Sequence, residues 1–208
     1  MTRKRAIPRK SIYRFSLYLR CLQRLSLDNV STVSSERLAK AAKVTAAQLR
    51  KDLAYLGNSG RRGFGYYVTE LKDRIDSLMG TDQLTPIVLV GVGNLGAALM
   101  SYQGFKEVGF EIVGAFDIDW YHGAPGNAPV EIQPMEALAD FIARRKITLA
   151  ILAVPAEAAQ TVASLLAGYG IRGILNFSPV LLELPDGVLA HNVNVALELQ
   201  NLAYFIRK

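Results

Sequence analysis

The segment Gly91-Val92-Gly93-Asn94-Leu95-Gly96, set directly after the apolar run Ile87-Val88-Leu89-Val90, constrains this chain more than any other. A G-x-G-x-x-G pattern alone is short and common. Here a strand-like run feeds it, a helix-like stretch from Ala97 to Met100 leaves it, and a second apolar run, Ile112 to Phe116, ends in Asp117. Asp117 lies 21 residues beyond Gly96, close to the spacing of about 20 at which an acid meets a ribose in a dinucleotide-binding βαβ unit. Gly91 permits a tight turn, Gly93 lets backbone approach a pyrophosphate, and Gly96 lets helix pack closely on strand. N–H groups at the helix start then face the phosphates. A carboxylate at Asp117, with Asp119 as a second acid beside it, accepts ribose hydroxyls and repels a 2′-phosphate, which favours NAD over NADP. The plain alternative is a glycine-rich turn in an ordinary α/β domain.

Beyond Pro86 the sequence alternates strand-like runs (87–90, 111–116, 148–154, 173–177, 188–193) with helix-like ones (about 94–103, 135–145 and 156–169). That alternation predicts a Rossmann-like, doubly wound parallel sheet. A last helix over about 195–206 carries Val195, Leu199, Leu202 and Ile206 on one stripe. Gly80, Thr81, Asp82 and Gln83 separate this half from an earlier helical pattern, so the expected domains are 1–80 and 81–208. An apolar fraction of 50% suffices for real cores. No apolar stretch approaches the ~20 residues that span a bilayer. The basic N-terminus lacks an uninterrupted apolar region and makes a poor signal peptide. The lone Cys21 rules out an intramolecular disulfide and argues for a reducing compartment, so a cytoplasmic chain is expected.

Charge divides the chain. Residues 1–80 hold 17 Lys and Arg against 6 Asp and Glu, whereas residues 81–208 hold 7 against 12. A basic segment joined to a mildly acidic one suggests that only the first meets a polyanion. Within it, about 17–56 reads as a helix-turn-helix. Ser34 or Ser35 caps one helix, Lys43-Val44 turns, and Thr45 with Gln48 forms a capping box for the next. Leu49, Leu53 and Leu56 give that second helix its buried face, leaving Ala47, Arg50, Lys51 and Ala54 opposite. Long cations among small alanines suit a recognition helix, with Arg50, Lys51 and Gln48 in reach of bases or phosphates. A wing is expected over about 57–68: Arg61, Arg62 and Gly63 form a glycine-flanked basic tip and Tyr66-Tyr67-Val68 returns as a strand. Such a tip suits a narrow, A·T-rich minor groove.

From about Ser11 to Ile206 the chain resembles the Rex family of redox-sensing transcriptional repressors. The resemblance rests on Thr45 to Leu53, Arg62 to Tyr66, Gly91 to Gly96, Val154-Pro155-Ala156-Glu157-Ala158-Ala159-Gln160 and Asn176-Phe177-Ser178-Pro179-Val180. It implies a homodimer whose winged helices hold a palindromic DNA operator and whose C-terminal halves sense NADH against NAD⁺. It also implies exchange of the last helix between subunits, although the apolar stripe over 195–206 by itself allows packing within one subunit. The same resemblance assigns Tyr102 as a tyrosine that responds to NADH and Arg20 as a link between the halves. The family partner of these two is an Asp followed by a bulky apolar residue. Here those positions are Asn194 and Val195, which removes a charge-assisted hydrogen bond and makes a Rex-like repressor with a weakened redox response the alternative expectation. Apolar residues near Pro155, Phe177 and Pro179 are expected to disfavour a cationic nicotinamide. No catalytic or metal-ligating set is assigned. An NAD-dependent dehydrogenase remains the alternative class, with only His122 and His191 as histidine proton donors, and a CoA-type nucleotide module is a third.

Overall fold

A computed structural model describes residues 6–57, 60–61, 64–122 and 129–207, which divide into two units between Gln83 and Leu84. The first contains α1 (Arg9–Leu27), β1 (Thr32–Val33), α2 (Ser35–Ala41), α3 (Ala46–Leu53), β2 (Tyr66–Tyr67) and α4 (Val68–Met79). Phe15, Tyr18, Leu19 and Leu22 recur at helical spacing, so one face of α1 buries all four. They pack in one core with Leu38 of α2, Leu49 and Leu53 of α3, and Leu71 and Ile75 of α4. This supporting helix starts at Arg9, upstream of the residue 17 expected from sequence.

Local capping explains the helix-turn-helix. Ser34 Oγ accepts the Arg37 N–H at 3.1 Å and Thr45 Oγ1 accepts the Gln48 N–H at 3.1 Å. Between them Lys43 takes a left-handed φ of 54°. The expected reciprocal half of the Thr45 box is absent, because the Gln48 side chain turns to Asp52 instead of back to Thr45. β1 and β2 pair antiparallel, Thr32 opposite Tyr67 and Val33 opposite Tyr66. The Arg61 N–H donates to Gly65 O at 2.9 Å, closing the base of the wing. Val68, expected to end the returning strand, opens α4. Arg62 and Gly63, expected at the wing tip, lie outside the described residues.

In the second unit β3 (Thr85–Val90), α5 (Asn94–Met100), α6 (Gly104–Glu107), β4 (Phe110–Asp117), β5 (Ile132–Pro134), α7 (Leu138–Arg145), β6 (Leu149–Leu152), α8 (Ala156–Gly168), β7 (Gly173–Asn176), β8 (Leu189–Asn192) and α9 (Val195–Ile206) follow in order. The sheet runs β5-β4-β3-β6-β7-β8 with every pair parallel. This is the doubly wound order, whose switch point lies between β3 and β6. Ile87, Leu89 and Ile151 face one core with Met100 of α5; Val88, Val90, Ala150 and Leu152 face the other with Leu138 and Ile142 of α7 and Ala159, Ala163 and Leu166 of α8. A sheet covered on both faces accounts for the unbroken apolar runs of its central strands. Several details differ from expectation, among them the separate short helix α6. The helix after the glycine loop stops at Met100 rather than 103, and the edge strand β5 was not foreseen. β5 has three residues and ends in proline, which is tolerated at an edge because no further strand needs its N–H.

Candidate functional site

Glycine chemistry shapes the loop at the switch point. Gly91 has φ of 93°, and a Cβ there would stand 2.5 Å from Ala153 O, so the turn out of β3 passes hard against the end of β6. At Gly96 a Cβ would overlap Gly91 O, which is how α5 comes so close to β3. Around Gly93 nothing lies within 4 Å of the corresponding position, leaving its outer side open. Asn94 and Leu95 are exposed beside it.

Asp117 ends β4 and holds this loop directly. The Val92 N–H donates to Asp117 Oδ2 at 2.6 Å, and the Asp119 N–H donates to Oδ1 at 2.9 Å. A carboxylate offers about four lone-pair positions, so acceptor capacity remains on both oxygens. Asp119 is exposed. Phe177 packs in the same apolar cluster as Val92 and Ala153, and Pro155 precedes the first turn of α8. Pro179 is exposed.

The Asn176-to-Pro179 turn, part of a stretch that carries the family resemblance, is held from below by two of its own polar side chains. Asn176 is fully buried; its Nδ2 donates to Val180 O at 2.9 Å and Asn192 Oδ1 at 2.8 Å, while its Oδ1 accepts the Ser178 N–H at 2.9 Å. Ser178 Oγ donates to Val154 O at 2.7 Å, tying the turn to the end of β6. A polar pair inside an otherwise apolar text was the available signal. Its partner Asn192 on the next strand was not legible.

The residues expected to switch fall in separate places. Tyr102 occupies the turn between α5 and α6, 60% exposed, with its ring edge-on to Phe105 at 5.2 Å. Arg20 is exposed on α1 in the other unit, bordering a groove of about 880 Å³ with Arg14, Arg24 and Lys43. Asn194 caps α9, its Oδ1 accepting the Ala196 and Leu197 N–H groups at 3.1 and 3.2 Å. Val195 is 65% exposed. Cys21 is half-buried, and burial pushes its thiol upward against the opposing influence of Arg20. α9 has no buried residue: Leu197, Leu199, Leu202, Tyr204, Phe205 and Ile206 are all exposed, so the described residues of its own unit do not cover the stripe.

On the face of α3 expected from sequence to read DNA, Ala47, Arg50, Lys51 and Ala54 are exposed. The Arg50 guanidinium donates to Ser35 Oγ at 2.9 Å and Glu36 Oε1 at 3.3 Å. Both members of that ion pair are more than half exposed, so it is weak and leaves Arg50 free to exchange partners. The Arg61 guanidinium sits 5.6 Å from the Tyr67 ring centroid, which steadies the base of the wing.

Gln48 is placed differently. Its Nε2 donates to Asp52 Oδ1 at 3.0 Å. Asp52 is fully buried and also accepts from Arg14 Nε (2.5 Å), Arg14 Nη2 (2.7 Å) and the Tyr18 hydroxyl (2.8 Å). Burial pushes its carboxyl up, but hydrogen bonds, chiefly from Arg14 and then Tyr18, outweigh that and hold it below the ordinary range. Burial likewise raises the Tyr18 phenol. Sequence alone assigns Asp52, Arg14 and Tyr18 no role, since an acid that follows two cations on a basic helix looks like surface.

Among the described residues no helix is long and apolar enough to cross a membrane. Residues 6–54 match the family model described as "Putative DNA-binding protein N-terminus", and residues 82–180 match the CoA binding domain model. The chain is 43% identical to the redox-sensing transcriptional repressor Rex of Pelotomaculum thermopropionicum, over 95% of this chain and 93% of the relative. It is also 43% identical to Rex of Streptomyces coelicolor, over 98% of this chain and 79% of that one. Among solved structures, RSP in complex with β-NAD⁺ and operator DNA superposes with a TM-score of 0.89 at 36% identity, covering 97% of this chain and 93% of RSP. RSP in complex with β-NADH gives 0.85 at 35% identity, covering 97% and 95%. Identity of 43% to such relatives over nearly the whole of this chain, with a common two-unit architecture, leaves one conclusion: this chain belongs to the Rex family of redox-sensing transcriptional repressors.

Proposed function

We propose that two copies of this chain grip a palindromic operator through α3 and the wing, and that NADH, in preference to NAD⁺, releases them. The observation that carries the reading is the Asp117 carboxylate bonded to the Val92 N–H beside the open side of Gly93. A pyrophosphate fits against the N–H groups of a loop with no Cβ in the way, and the remaining lone pairs of Asp117 suit the two ribose hydroxyls. The 3′-phosphorylated ribose of CoA would meet the same carboxylate with like charge, which argues for NAD in spite of the CoA-type model over this unit. Relatives solved with β-NAD⁺ and operator DNA, and with β-NADH, support the same assignment.

Arg50 and Lys51 read the major groove, and Arg61, Arg62 and Gly63 carry the minor-groove contact. Phe177, Pro155 and Pro179 form the wall near the nicotinamide. The dinucleotide supplies the redox signal, being cationic at the nicotinamide when oxidised and neutral when reduced, and an apolar wall penalises the cation. Cys21 does not carry that signal in this reading, since the thiolate is the reactive form and burial disfavours it. The reduced cofactor favours a dimer whose recognition helices mismatch the half-site spacing, and DNA favours the other geometry. By linkage each weakens the other by the same factor. The uncovered apolar residues of α9 form the dimer contact, so Leu199→Glu with Leu202→Glu yields a monomer in sedimentation and abolishes operator binding.

The chain acts as a regulator and not as an enzyme. His191 is exposed on β8, and sustained NADH oxidation against a panel of carbonyls would reinstate the dehydrogenase class. The deciding experiment is operator selection from random duplex DNA followed by matched titrations of NADH and NAD⁺. Release at far lower NADH than NAD⁺ is expected despite Asn194 and Val195; equal release by both would refute redox sensing.

A further inference from the structure

Operator reading depends on more than the side chains that reach DNA. Gln48 is the third residue of α3 after the Thr45 cap, in the N-terminal half of the reading helix from which base edges are met. Its neighbour Asp52 never reaches DNA, being fully buried beneath the helix. An ionised carboxylate only accepts, so the Gln48 carboxamide must turn its NH₂ toward Asp52 and its oxygen away. A glutamine on a surface helix ordinarily presents either end. Here chemistry permits one.

The same carboxylate is saturated from the other side. Arg14 contributes two donors and Tyr18 one, all from α1, and Arg14 Nη2 lies 3.1 Å from Ser11 Oγ. With Gln48 this makes four donors for the roughly four acceptor positions of a carboxylate. Asp52 therefore has no spare capacity and no exposure, yet it fixes two things at once: how α3 sits on α1 and which end of Gln48 faces outward. A recognition side chain held in one orientation before binding gains both affinity and discrimination.

We propose that Asp52 is a positioning residue for operator reading, setting the orientation of the Gln48 carboxamide and so the base preference at the one operator position that Gln48 meets. The proposal rests on α3 being the reading helix, as argued above. Asp52→Asn tests it, because a carboxamide presents a donor and an acceptor and lets Gln48 take either flip. Where that variant does not fold, Arg14→Met with Asp52→Leu takes its place: an apolar pair removes the carboxylate without stranding a buried charge. NADH binding, a property of the other unit, and a thermal melt report folding independently.

The experiment selects operators from random duplex DNA with the wild type, Gln48→Ala and the Asp52 variant. Gln48→Ala identifies the base position that Gln48 reads, expected to lose a preference of about fivefold or more. The Asp52 variant is expected to lose preference at that same position while keeping the preferences set by Arg50 and Lys51. A folded Asp52 variant with the wild-type preference, or one that loses preference evenly at all positions, overturns the proposal. A wild type that selects no operator overturns the repressor reading itself, and this inference with it.

Discussion

Beneath the reading helix the most deeply buried polar side chain is ionic, whereas beneath the Asn176-to-Pro179 turn it is neutral. Asp52 is held by Arg14, Tyr18 and Gln48; Asn176 and Ser178 are held by main-chain groups and by Asn192. Each network lies under a segment with a proposed role, and each satisfies the buried atoms completely, with no unsatisfied buried side-chain atom among the described residues. The difference follows from the ligand each unit is proposed to meet. A basic reading unit has cations to spare, and a buried carboxylate neutralises one of them while aligning two helices. A wall that distinguishes a cationic from a neutral nicotinamide has to be free of fixed charge, because a charge close by would outweigh the difference to be sensed. The two networks use similar numbers of hydrogen bonds for different electrostatic ends.

The largest way to break this comparison is Asp52→Ala. It strands Arg14 and Tyr18 and is expected to cost the first unit about 3–5 kcal/mol of stability. Calorimetry would then show one transition lowered and the other unmoved, with NADH binding retained. The sign of the acid response follows from the depressed carboxyl. The stability it contributes is complete above the ordinary value of 3.8 and is lost as pH falls from there through the lower native value. A melt of the first unit below that pH should fall in the wild type and stay flat in the Arg14→Met, Asp52→Leu pair. An acid response unchanged by the pair would show that other carboxylates dominate.

Next in size is Asp117→Ala, which removes the acceptor of the Val92 and Asp119 N–H groups and, in the proposed function, of the ribose. A loss of about 10- to 100-fold in NADH affinity is expected from charge-assisted bonds, measured by calorimetric titration, with cofactor-free DNA binding near normal. If DNA binding fell equally, the two units would not be separable in function. Smaller still is Lys51→Ala, expected to weaken operator preference and to reduce the slope of affinity against salt by about one while NADH binding is unchanged. The smallest effect is Cys21→Ser. NADH-dependent release should be unaltered after treatment with peroxide, and a peroxide response lost in the variant would place redox chemistry on the thiol.

Much of this molecule was legible one segment at a time. The glycine loop, its flanking strands and the acid at the end of β4 could be read because their spacing is short and their requirements are steric. Thr45 capping α3 and the buried Leu49 and Leu53 were legible for the same reason. Gln48 marks the limit. Its type and position pointed both to the capping box and to DNA, yet its side chain is turned by a carboxylate one helical turn away that is itself fixed from α1. β5 was missed because three residues ending in proline carry no periodic signal.

The sequence by itself determined the longer elements, the glycine turn, the division of charge and the family, since each is written in residues near one another or in composition. Tertiary structure alone decided which polar groups became buried and what satisfied them: Arg14 with Asp52, Asn176 with Asn192, Asp117 with the Val92 N–H. It also decided that α9 leaves its apolar side chains uncovered. Hydrogen bonds between distant segments exist only once packing has brought them within reach and removed the competing water, so no local pattern records them.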